Sequence, residues 1–158
     1  MQLAVPVRKV SIAALSLDGV WSTGILFLKP VAETHSGPET VLDRLNDRDL
    51  FLPIQIAGER HITLLSKTHV ARLLVRDGQP GDALPEDQEN LAGKLEPVLI
   101  TMAPGHQLSG WLAIQAPDWQ SRLSDYMNSL PGTFFQLYAD DALHLLNKHA
   151  VLRIQSQS

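Results

Sequence analysis

Residues 9–17, KVSIAALSL, form an apolar run of β-compatible residues that breaks at Asp18-Gly19, a turn signal. The run resumes in GILFL at 24–28, so the first stretch predicts two strands joined by a short turn. Leu42 and Leu45 then fall on one side of a helical turn. Thr40, with Asp43 three residues on, has the spacing of a capping box, and Asn46 stands where a left-handed residue would end the helix. Three more short strands are expected, at about 50–56, 60–65 and 69–75, with a tight turn at Ser66-Lys67 between the last two.

The same pattern then runs again. EPVLITMA (96–103) and GWLAI (110–114) match the first two strands, and Leu123 with Tyr126 or Met127 gives a second short helix that Asn128 would end. Strands at 134–139, 142–146 and 149–155 follow, with Asn147-Lys148 at the turn. LLSKTHVARLLV (64–75) and LLNKHAVLRI (145–154) are nearly one phrase, about 81 positions apart. FLPI (51–54) meets FFQL (134–137), TGILFL (23–28) meets SGWLAI (109–114), and LDRLN (42–46) meets SDYMN (124–128). Eleven identities in about sixty paired positions, all in the same order, identify a duplication.

The units are placed at residues 1–75 and 96–158, joined by the Gly-, Pro- and acid-rich linker 76–95. The first carries an additional loop at 29–40. Gly24 and Gly110 occupy the same strand position, which marks a bulge or sharp bend. The expected fold is mainly β: two tandem SH3-like or Sm-like five-stranded barrels, each with a short helix between strands two and three. Units of about sixty residues have marginal cores, so the copies are expected to pack on each other through an apolar interface.

Asp18-Gly19 followed by Gly24-Ile25-Leu26 resembles the first motif of Sm-like proteins, and NKHAVLRI (147–154) resembles the second motif of their bacterial Hfq branch. The resemblance covers the two ends of each unit, about a third of the chain. Sm-like proteins continue a bent sheet where this chain inserts a helix. What the resemblance implies is a ring whose Lys-His turn contacts uridine-rich RNA, which carries over to Lys148 and His149 and, in the first copy, to Lys67. His69 does not align with His149; Thr68 does, and a one-residue offset turns a strand side chain to the opposite face.

Charge argues against a general phosphate-binding surface. The chain is −4 overall, and residues 80–158 hold four Lys/Arg against nine Asp/Glu. With no cysteine, disulfides, thiolate metal sites and a cysteine nucleophile are excluded. The opening MQLAVPVRKVSIAALSL is read as a strand rather than a signal peptide, because Ser11 and Ser16 interrupt its short apolar run. No run reaches the roughly 18 apolar residues of a membrane helix, and the expectation is a cytoplasmic protein that does not enter the membrane.

The remaining chemistry is sparse. Six histidines invite a metal reading, but no acidic partner lies beside His144 and His149, and surface roles are expected, with no metal or cofactor. Asp140-Asp141 reads as a solvated turn rather than a catalytic pair. Repeated Asp43/Asp125, Lys67/Lys148 and Arg72/Arg153 are either structural pairs or a duplicated site. Trp111 is expected in the core, while loop residue Trp119 is the better candidate for contact with a base or partner. No catalytic residue is assigned, since phosphate-loop, dinucleotide, serine-elbow and zinc-helix patterns are all missing from the sequence. The leading reading is a non-enzymatic binding or scaffold protein acting through protein–protein contacts, with self-association as a homodimer or ring. Sm-like RNA binding through Lys67, Lys148 and His149 ranks second.

Overall fold

A computed structural model describes residues 8–76, 94–103, 105–114, 122–140 and 142–157. Most of the expected linker and all of Trp119 lie outside these residues. In chain order the elements are β1 (Arg8–Ser16), β2 (Trp21–Leu28), α1 (Val41–Asn46), β3 (Phe51–Ile56), β4 (Ile62–Ser66) and β5 (Val70–Val75). The second half repeats them as β6 (Lys94–Met102), β7 (His106–Ile114), α2 (Leu123–Ser129), β8 (Phe134–Ala139), β9 (Ala142–Asn147) and β10 (Val151–Ser156). The turn expected at Ser66-Lys67 is a 3-10 turn, Lys67–His69, and its counterpart is Lys148–Ala150.

The ten strands among the described residues lie in one antiparallel sheet, in the order β10-β6-β7-β8-β9-β5-β1-β2-β3-β4. Each half therefore has the same internal order, with its fifth strand beside its first. Ile12 faces Gly24 in β1–β2 and Val98 faces Gly110 in β6–β7, so the duplicated glycines occupy equivalent ladder positions. The expected closure into two barrels is not what the ladder contains. Among the described residues the sheet is open, with β4 and β10 as its terminal strands, because β5 pairs with β9 of the other half instead of with β4. That seam sets Arg72 opposite Leu146, Leu73 opposite Leu145, Leu74 opposite His144 and Val75 opposite Leu143.

The glycines are required by close approach rather than by a bulge. A Cβ on Gly24 would lie 2.5 Å from the Gln55 carbonyl oxygen, and one on Gly110 would lie 2.6 Å from that of Tyr138. Thr40 caps α1 as expected: its hydroxyl accepts from the Asp43 amide (3.1 Å), and the Asp43 carboxylate accepts from the Thr40 amide (2.9 Å). Asn46 does not end the helix in a left-handed conformation. It sits within α1, extended Asp47 follows it, and its side chain is spent across the seam instead. Trp111 is half exposed, correcting its expected place in the core: strand alternation points Leu112 inward and Trp111 out.

Two apolar clusters hold the sheet together. One joins Val10, Ile12, Leu26, Leu52, Leu73 and their neighbours, and is completed by Phe134, Tyr138, Leu143 and Leu145 of the second half. The other gathers Val98, Ile100, Leu112, Phe135, Leu137 and Leu146. β8 and β9 thus feed one cluster from each face, which is why both are buried almost throughout. Half-to-half packing is a shared core.

Candidate functional site

The two lysines singled out in the sequence do the same structural job. Lys67 is buried, and its ammonium donates to the Arg44 carbonyl at the end of α1 (2.6 Å) and to Asp47 (2.5 Å). Lys148 donates to the carbonyl of Leu130, the residue that follows α2 (2.5 Å), and burial pulls its pKa down. Each satisfies a carbonyl that a helix terminus leaves without an intrahelical partner. An ammonium fixed in this way is not presented to a phosphate. Its neighbour His149 is exposed on the turn, where its amide donates to the Asn147 side chain. The Lys67 and Lys148 ammonium groups are each bonded at the helix of their own half, although the two turns meet where the Asn147 side chain donates to the Thr68 carbonyl (3.4 Å).

Asp43 and Asp125 both occupy the third position of their helices, where a carboxylate complements the helix N-terminus. Burial pushes Asp43 up, but the Thr40 amide, His35 (2.6 Å) and the Thr40 hydroxyl together outweigh it and hold its pKa below the usual value. His35 is raised, by its bond to the Ser36 carbonyl and then by Asp43. Arg72 stacks over Trp21, 5.1 Å from the ring centroid, while its counterpart Arg153 is exposed. His144 is buried, two pairs along the β5–β9 ladder from Arg72. Desolvation, and then the Arg72 charge, depress its pKa against the opposing pull of the Ala139 backbone and Asp140. Its Nδ1 has no hydrogen-bond partner among the described residues. Those residues contain no group of three His, Cys, Asp or Glu side chains arranged to hold a metal ion.

The informative surface lies at the ends of the sheet. Phe51, Ile62 and Leu64 are 49%, 52% and 60% exposed; their counterparts Phe134, Leu143 and Leu145 are 1%, 3% and 0% exposed. The fifth strands show the same contrast: Ala71 is fully buried, whereas its counterpart Leu152 is 62% exposed. In α1, Val41 and Leu45 are buried, while α2 buries none of its residues. The two halves, alike in element order, therefore differ in exposure at these positions along the seam. The copies facing the seam are covered, and the copies at the sheet termini are not.

Two asparagines lock that seam. Asn46 accepts from the amides of Phe134 (2.8 Å) and Thr133 (3.1 Å) and donates to the Phe134 carbonyl (3.0 Å). Fully buried Asn147 donates to the Val70 carbonyl (2.9 Å). By sequence position Asn46 suits a helix cap, and no local motif marks Asn147, Phe51, Ile62 or Leu64 as seam residues. A usable signal was present: adjacent leucines at 64–65 and 145–146 make both faces of a strand apolar, which alternation with a single buried face does not require. No helix among the described residues is long and apolar enough to cross a membrane. No family model, curated protein or solved structure matches the chain.

Proposed function

We propose that this chain is a non-enzymatic scaffold that acts through protein–protein contacts along its sheet edges, built from two small units of the Sm or SH3-like barrel type. The observation that carries the reading is the apolar surface left exposed by Ile62, Leu64 and Leu152 on the terminal strands and by Phe51 on the adjoining β3. Unpaired strand edges with apolar neighbours are surfaces that recruit another chain by sheet extension. The unit type is supported by the common strand order of the two halves and by the chain's own use of a strand edge to join them. The polar residues that would otherwise suggest ligand chemistry, Lys67, Lys148 and Asp43, are engaged in fastening helices.

Binding to poly-U at two salt concentrations tests this against the RNA reading. The scaffold reading expects affinity no better than non-specific. Micromolar or tighter binding, with a steep salt dependence and loss on His149→Ala, would overturn it.

A further inference from the structure

We propose that the chain assembles head to tail with further copies of itself, β10 of one copy pairing with β4 of the next and thereby repeating the internal β5–β9 seam between molecules. The inference deepens the scaffold reading by naming the partner as a second copy of this chain.

Three independent features of the two termini point to this occupant. The first is edge geometry. β4 is the counterpart of β9, and β10 of β5, so the sheet ends in the two halves of a seam it already contains once. Transferring the internal register by the repeat places Arg153 opposite Leu65, Ile154 opposite Leu64, and Gln155 opposite Thr63.

The second is apolar complementarity. Phe51, Ile62 and Leu64 are the exposed counterparts of the side chains that plug the first core from the second half. Across from them, Leu123, Met127 and Ile154 are only partly buried, where their counterparts Val41, Leu45 and Leu73 are closed over by the seam. Plug and receptor are both present, at opposite ends of one molecule. β4 also carries no charge or proline, the usual guards of an exposed edge.

The third is polar. Asn46 grips the backbone at Thr133 and Phe134. Its counterpart Asn128 is exposed, and its side chain has no hydrogen-bond partner among the described residues. In the assembled pair Asn128 meets the backbone of Leu50 and Phe51 in the next copy. An asparagine kept in both copies, but engaged in one, fits a contact that forms only between molecules. Such a contact is heterologous, so it closes into a ring or runs on as a filament according to its rotation.

The test is sedimentation velocity on the full chain over about a hundredfold concentration range. Wild type is expected to grow in steps of one chain, 17.4 kDa. Leu64→Lys ruins the β4 edge and Leu152→Lys the β10 edge, each at an exposed position, so each variant alone is expected to stay at one-chain mass. Mixed together, they retain one good edge of each kind and should form a one-to-one dimer that grows no further. Asn128→Ala should weaken assembly by about tenfold, leaving the melting temperature of the single chain unchanged. Wild type remaining at one-chain mass overturns the proposal, and so does either lysine variant self-associating alone, because that would pair like edges. A mixture that stays monomeric while wild type assembles also overturns it. None of these results bears on poly-U binding, so the two readings fail separately.

Discussion

Lys148 shows how a charged side chain in a small β protein can be tied to architecture. Its ammonium serves one carbonyl beside α2, so Lys148→Met keeps the stem and leaves that carbonyl without its donor. The expected cost is ~1–3 kcal/mol, read by urea denaturation, with Lys67→Met at the upper end because Lys67 is the more buried and also pairs with Asp47. His144 makes a prediction of opposite character. Its folded pKa is depressed, so folding favours the neutral imidazole. Its stabilising share is complete above the unfolded value of about 6.5 and is lost as pH falls below that value towards the folded pKa. His144→Leu, beside Leu74 and Leu137 in the ladder, should therefore flatten the loss of thermal stability between neutral and mildly acidic pH. An unchanged slope would show that this imidazole does not drive it.

At the scale of elements, the same strand position demands glycine twice for one physical reason. β3 and β8 approach the backbones of β2 and β7 so closely that no side chain fits between, and Gly24→Ala or Gly110→Ala must push a carbonyl away. Each substitution is expected to lower the melting temperature by several degrees, corresponding to ~1–3 kcal/mol, with similar losses at the two sites. The helices differ more. α1 has a complete capping box, whereas α2 starts from Arg122 with no side-chain cap. Thr40→Ala should cost about 1 kcal/mol, while Arg122→Ser should stabilise by a comparable or smaller amount, both measured by thermal denaturation.

For the whole molecule, the shared core makes the halves one cooperative body. Leu145 belongs to the second half yet completes the first cluster, fully buried. Leu145→Ala is expected to cost ~2–5 kcal/mol in a single transition seen equally by fluorescence and circular dichroism. Its repeat partner Leu64 is exposed, and Leu64→Ala should cost the monomer well under 1 kcal/mol. Equal losses at the two positions would contradict the seam. The asymmetry follows from the strand order: β9 lies inside the sheet beside β5, while β4 is at its end with one strand neighbour.

Most of the fold was legible because it is local. The strand pattern, the turn at Asp18-Gly19, the Thr40–Asp43 cap and the recurrence of the same element order follow from side-chain period and backbone conformational preference, neither of which depends on distant residues. Even the excess of aliphatic positions, Leu64-Leu65 beside Leu145-Leu146, showed that these strands had more apolar surface than one face can bury. Only tertiary structure decided which strand β5 would choose. β4 and β9 offer it nearly the same backbone edge and nearly the same sequence, and the choice is made by long-range packing. That pairing keeps the sheet open and turns Asn46 from a supposed cap into a lock. It also buries Leu145 and leaves Leu64 in water. Two residues of one type, at equivalent places in one repeat, carry identical local information. What separates them is the neighbour that folding supplies.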